Sequence, residues 1–220
     1  MSASLDFEAA RTAMVNSQLR PNRLLDDALT EALSAVPRER FVPKDLQGIA
    51  YLDEDLPFGA GRYLMEPMVL TRLLQAAAIE PGDMVLDIGC LTGYAAAVMA
   101  ALANTVVAVD QDPDYVTQAT ETLAALDIAN VAVVEAPLAE GLPDQGPYDV
   151  VLVEGAVSEV PQALLDQVAE GGRLLTVLRS DSMGVAHVFA RNAGSIGKRS
   201  LFDAATPLLP GFERKQGFVF

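Results

Sequence analysis

Apolar residues recur at helical spacing through the first part of the chain. Phe7, Ala10, Met14, Val15 and Leu19 share one face, and Leu25, Leu29, Leu33 and Val36 share a second. Pro21 separates two predicted helices and Pro37 closes the second. From 38 to 66 the periodicity stops, and Pro43, Pro57, Gly48, Gly59 and Gly61 punctuate what is predicted to be a long irregular connection. Long loops inside folded domains are often functional. Beyond it, helical and strand patterns alternate. Helices are expected at 67–79, 94–103, 113–126 and 161–169, and strands at Met84–Ile88, Thr105–Asp110, 131–134, 148–153 and 173–178. That alternation predicts an α/β protein: a three-layer αβα sandwich around a mostly parallel, Rossmann-like sheet of seven strands. The last two strand-like runs, 185–191 and 196–202, are joined only by Asn192-Ala-Gly-Ser195, which predicts an antiparallel hairpin at the carboxyl-terminal end.

Composition narrows the partners. The 220 residues carry a net charge of −15, which repels phosphate backbones and anionic lipid, so neither nucleic acid nor membrane is an expected partner. The length suits one domain spanning 1–220, with the N-terminal helices and a substrate-side loop at 1–66 and a ligand-binding core at 67–220. The single cysteine allows no internal disulfide, and the single histidine, His187, allows no His-rich metal site. His187 is read as structural. The first residues lack a basic, apolar leader, and the apolar stretch 94–109 is interrupted by Asn104 and Thr105, so a cytoplasmic protein is expected. No oligomeric state is readable.

Candidate chemistry lies at the ends of the first two strands of the alternating region. Asp87-Ile-Gly89-Cys90-Leu-Thr-Gly93 follows a strand and opens a helix, where ligands bind in open α/β sheets. Gly89 lets the backbone approach a ligand, and Gly93 allows close helix packing. Asp87 is expected to orient the loop by accepting backbone N–H groups. The spacing differs from the Gly-x-Gly-x-x-Gly of dinucleotide sites, which disfavours a nicotinamide enzyme. Asp110, followed by Gln111, ends the next strand and can accept both hydroxyls of a ribose. A third segment, Leu56-Pro-Phe-Gly-Ala-Gly-Arg62-Tyr63-Leu-Met65-Glu-Pro67, leads into the 67–79 helix. Arg62 is placed there to take an anionic group bidentately.

Several of these stretches together resemble one family. Ala35-Val-Pro-Arg-Glu-Arg-Phe-Val-Pro43 and Ala50-Tyr-Leu-Asp-Glu-Asp-Leu-Pro-Phe-Gly59 are similar to the N-terminal signature of protein-L-isoaspartate O-methyltransferases. The glycine loop, Pro147-Tyr-Asp-Val-Val-Leu-Val153 and Gly171-Gly-Arg-Leu174 follow in the family's order, and the likeness runs from about 11 to 180. The resemblance implies a class I methyltransferase fold, S-adenosylmethionine as cofactor and an isoaspartyl protein or peptide as acceptor, hence a role in protein repair. It places Asp87, Gly89, Cys90, Gly93, Asp110, Gln111 and Pro137 around the cofactor. Arg62, Tyr63 and Met65 fall on the acceptor side. The chain departs from the family pattern at three points. Leu91 stands for a loop glycine, Pro137 for the aspartate that meets adenine, and Met65 for a serine. Those departures keep a second reading open, a catalytically degenerate binding or regulatory protein. Of the three, Pro137 is expected to weaken cofactor binding most, because no proline rotamer restores a carboxylate's hydrogen bond.

Overall fold

A computed structural model describes residues 6–23, 25–180 and 183–213. Residues 1–5, on which part of the reading of the first residues rests, lie outside it. The N-terminal periodicity gives helix α1 (Phe7–Ala13), a π-helical turn at Met14–Leu19 and helix α2 (Asp27–Ala35). Pro21 sits in the short 3₁₀ turn Arg20–Asn22 between them. The Asp26 carboxylate caps α2 by accepting the Leu29 N–H at 2.9 Å.

The connection expected to be irregular contains a small hairpin, β1 (Leu56–Gly59) paired antiparallel with β2 (Arg62–Leu64). Its strands are too short, and too rich in proline and glycine, to show period-two alternation. Arg38, fully buried, ties this connection together: its Nε donates to the Ala50 carbonyl at 2.7 Å and an Nη to the Met65 carbonyl at 2.8 Å.

The main sheet is built from β3 (Met84–Ile88), β4 (Thr105–Asp110), β5 (Val131–Glu135), β6 (Tyr148–Val157), β7 (Val168–Ser180), β8 (Met183–Asn192) and β9 (Ser195–Ala204). Their order is β5-β4-β3-β6-β7-β8-β9. The first five in that order run parallel, β8 runs against them, and β9, antiparallel to β8, closes the terminal hairpin that the sequence pattern predicts. Ala193 and Gly194, both at positive φ, form the tight turn between β8 and β9. Helices α3 (Pro67–Ala77), α4 (Tyr94–Ala100), α5 (Pro113–Ala125) and the short α6 (Gln162–Asp166) complete the layers. The helix expected over 161–169 is thus shorter, and Val168 already belongs to β7. No helix among the described residues is long and apolar enough to cross a membrane.

Side-chain alternation sorts the central strands between two cores. Val85, Val106, Ala108, Val150 and Leu152 join the cluster under α2, α3 and α4, whereas Leu86, Ile88, Val107, Val109, Val151 and Val153 join the opposite one. Continuing that alternation puts Asp87, Asp110 and Glu154 on the first face, at the carboxyl ends of β3, β4 and β6. Strand order reverses between β3 and β6, so these three carboxyl groups flank the switch point, where open α/β sheets bind ligands.

Candidate active site

The β3–α4 loop has the geometry of a ligand cradle. Gly89 and Gly93 adopt φ of +83° and +90°, values that a side chain would strain. A Cβ on Gly93 would also sit 3.4 Å from Ala119 and Leu123 of α5, so the glycine lets that helix close on the loop. Between them, Leu91 adopts φ of +48° and is buried, a backbone conformation that strains leucine. Such a conformation costs roughly 1–2 kcal/mol.

Asp110, fully buried at the end of β4, has every acceptor position engaged. Its Oδ1 accepts from an Arg62 Nη at 2.9 Å and from the Asp112 N–H at 3.1 Å. Its Oδ2 accepts from the other Arg62 Nη at 2.6 Å and from the Leu91 N–H at 2.9 Å. The same guanidinium donates to the Gly89 carbonyl at 3.2 Å and lies 5.5 Å from the centre of the Tyr115 ring. Burial opposes the Arg62 charge, but the hydrogen bonds and charge of Asp110 outweigh it and hold the guanidinium above its ordinary pKa. Arg62 is thus aimed at Asp110.

Asp87 was expected to accept backbone N–H groups of the loop, and here the structure corrects the sequence reading. No donor from another described residue reaches either of its oxygens, or either oxygen of Glu154. The two carboxyl groups instead face each other. Asp87 pairs with Leu152 across the β3–β6 ladder, and Glu154 follows two residues later on the same face. Burial pushes Asp87 up to about 7 and, with the adjacent Asp87 charge, raises Glu154 well above the usual carboxylate range.

The remaining sequence candidates divide by location. Tyr63 is partly exposed on β2, and Met65 is buried just beyond it. Cys90 is buried, and burial raises its thiol well above the ordinary pKa, which leaves it unreactive. Gln111 and Pro137 are exposed and border an open hollow of about 590 Å³ with Asp112, Pro113, Glu135 and Ala136. His187 lies in β8, its Nδ1 2.8 Å from the Val185 carbonyl.

Three contributors went unread in the sequence. Glu154 carried a signal, an acidic residue ending the apolar run Val150–Val153. Tyr115 reaches back from α5 to donate its hydroxyl to the Phe58 carbonyl at 3.0 Å, docking the β1–β2 hairpin. Leu209 belongs to a terminal strap, residues 205–212, that crosses the end of β6. The Ala156 N–H donates to the Pro207 carbonyl at 2.9 Å and the Leu209 N–H to the Ala156 carbonyl at 2.8 Å. A Cβ on Gly89 would meet Leu209 at 3.3 Å and Arg62 at 3.6 Å, and one on Gly155 would meet Leu209 at 2.9 Å. Between hairpin and strap, lined by Tyr63, Met65, Glu154 and Thr206 among others, only about 10 Å³ is open, about one water.

Comparison with known proteins agrees with this geometry. A family model described as protein-L-isoaspartate(D-aspartate) O-methyltransferase matches residues 10–204. A protein-L-isoaspartate O-methyltransferase of Koribacter versatilis (strain Ellin345) is 36% identical over 206 residues, covering 92% of this chain and 93% of its own length. Another, from Synechococcus sp. (strain JA-2-3B'a(2-13)), is 41% identical over 173 residues, or 79% of this chain and 71% of its own. In fold, the chain superposes with a TM-score of 0.78 on a candidate protein-L-isoaspartate O-methyltransferase from Plasmodium falciparum, solved in complex with S-adenosyl-L-homocysteine. That likeness covers 94% of this chain and 99% of the other at 21% identity.

Proposed function

We propose, from the premise that this chain belongs to the protein-L-isoaspartate(D-aspartate) O-methyltransferase family, that it transfers the methyl group of S-adenosylmethionine to the free carboxylate of an isoaspartyl residue in a protein or peptide. The observation that carries the reading is the frame at the switch point. Gly89 and Gly93 stand at positive φ in one loop, opposite a carboxylate, Asp110, that ends the neighbouring strand. The carboxylate acceptor suits the residues present. It is ionised at neutral pH and needs no strong base, only alignment with the methyl group and exclusion of water. In this reading Gly89, Cys90, Gly93, Asp110, Gln111 and Pro137 surround the cofactor, with Asp87 behind the loop. Arg62, Tyr63 and Met65 border the acceptor side.

The cofactor fits these residues in kind and not in space. The glycines and Asp110 suit an adenosyl amino acid, but Arg62 and Leu209 fill the volume over Gly89. No chemical step is therefore derived through it. Arg62 on Asp110 also favours the second reading, a member of the family that has lost catalysis. Transfer of labelled methyl from S-adenosylmethionine to an isoaspartyl peptide, with the aspartyl peptide as control, separates the two. Incorporation into the isoaspartyl peptide alone is expected. No incorporation above a blank without protein would sink the repair activity.

A further inference from the structure

We propose that Arg62 and Leu209 are tethered competitors for the cofactor volume and thereby set its affinity, an inference that rests on the cofactor reading above. The guanidinium takes the two acceptor oxygens of Asp110 that a ribose diol would use and the Gly89 carbonyl beside them. Leu209 lies against the open face of Gly89, the position that the glycine keeps free of a side chain. A ligand must displace both before it reaches loop and carboxylate together.

The two competitors sit on adjoining pieces of chain. Gly61, next to Arg62, lies against Pro210, next to Leu209: a Cβ on Gly61 would be 3.4 Å from the proline ring. The hairpin is held over α5 by the Tyr115–Phe58 bond and the Tyr115 ring. The strap is held to β6 by its two bonds at Ala156 and by the Ser158 N–H donating to the Phe212 carbonyl at 3.1 Å. Apolar packing adds to these bonds, with Leu56 and Leu64 of the hairpin in one core and Leu209 and Phe212 of the strap in the other, but neither piece is joined to the main sheet by a continuous ladder.

The closed packing is also imperfect, in a way that favours exchange. Arg62 Nε, Thr206 Oγ1 and both oxygens of Glu154 are buried without a partner among the described residues. Buried groups left unpaired cost free energy that a better-matched occupant recovers. A buried ion pair also offers little net stability over apolar residues of the same shape, so a site meant only to stay closed has no need of Arg62 and Asp110. The tethered groups reduce affinity by the fraction of time they leave the volume open.

Calorimetry with S-adenosylhomocysteine on the full chain, its Arg62→Ala and Leu209→Ala variants and the double variant tests this. Each single variant should bind at least about tenfold tighter than the unmodified protein, and the double variant tighter still. Leu209→Ala leaves the charges alone, so it decides the matter if Arg62→Ala does not fold. Tight binding by the unmodified protein, matched within about twofold by the variants, or weakened in them, overturns the competitor proposal and leaves the cofactor reading standing. If the chain and every folded variant fail to bind at millimolar ligand, the cofactor reading falls and takes this proposal with it. Hydrogen exchange at the Leu91 and Leu209 amides separates the cases without ligand. Both should lose protection in the variants, and unchanged protection in Leu209→Ala contradicts a displaceable strap.

Discussion

The two ends of the switch-point cleft are built differently. Beyond β4 and β5, Gln111, Glu135 and Pro137 border a hollow of about 590 Å³ that is open to solvent. Beyond β3 and β6, Met65, Glu154 and Leu209 leave about 10 Å³. Both ends rest on the same parallel frame, so the difference comes from what is laid over it: nothing over the first, a hairpin and a strap over the second. Access is therefore restricted at the end where the glycine loop lies. From sequence, Pro137 stood out as the strongest departure, yet it occupies the end that is already open.

The sharpest way to break that comparison is to remove the carboxylate that anchors the closed end. Asp110→Ala leaves Arg62 buried without its partner and strips acceptors from the Leu91 and Asp112 N–H groups. Losing one member of a buried pair costs about 3–5 kcal/mol. Urea denaturation should show that loss as a lower midpoint at unchanged slope. A loss below about 1 kcal/mol would mean that Arg62 reaches water freely and that the end is not tightly closed.

A second, smaller effect comes from the carboxyl pair. Asp87, pushed up to about 7, holds its proton in the folded chain at pH values where the unfolded chain, at about 4, has released it. The folded state binds more protons between those values, so the stability contributed is present below about pH 4 and lost as pH rises through about 7. Asp87→Asn cannot ionise and removes that loss. Its melting temperature should exceed that of the unmodified protein by several degrees at pH 8, at about 2–4 °C per kcal/mol, and match it closely at pH 5. Equal gains at both pH values would mean that Asp87 does not change its charge between them.

The same contrast explains what could be read in advance. The limits of β3 and β4 and the turn over Asn192–Ser195 follow from local patterns, in which each residue's role is fixed by near neighbours. The closed end follows from distant contacts. Arg62 meets Asp110 across 48 positions, and Leu209 meets Gly89 from a terminal segment with no motif of its own. Arg62 could be marked as able to bind an anion, but its partner proved to be the chain's own carboxylate. The hairpin was invisible because β2 has three residues, too few for alternation to register. Asp87 was misjudged because an aspartate ending a strand suggests a loop anchor, whereas the residue facing it is an acid on the next strand over, unread at Glu154.

Leu91→Gly probes the loop between the two ends. Glycine removes the roughly 1–2 kcal/mol of strain at φ of +48°. It also gives up a buried side chain worth about 1.5–3 kcal/mol. The two nearly cancel, so stability should fall by no more than about 2 kcal/mol in urea. A clear gain would show that the Leu91 side chain contributes little to the core under α4.

The smallest effect should come from the open end. Pro137→Asp places a carboxylate beside the hollow, but Pro137 is exposed, so the new group remains hydrated before and after a ligand arrives. A hydrogen bond exchanged with water contributes about 0.5–1.5 kcal/mol, or about two- to tenfold in affinity. S-adenosylhomocysteine should therefore bind Pro137→Asp less than about tenfold tighter than the unmodified protein, a gain below that of Leu209→Ala. Pro137 and Leu209 line separate cavities and share no lining residue, so their effects should add. Pro137→Asp should then give the same factor in the Leu209→Ala background as in the unmodified chain. Replacing proline also loosens the chain there, and part of the gain can be lost to that entropy. A Pro137→Asn control carries the same backbone change without the charge and isolates the carboxylate. If Pro137→Asp outranks Leu209→Ala, the open end limits binding after all, and the closed end is no obstacle. If its factor grows once Leu209 is trimmed, the two ends are coupled and the cleft behaves as one site.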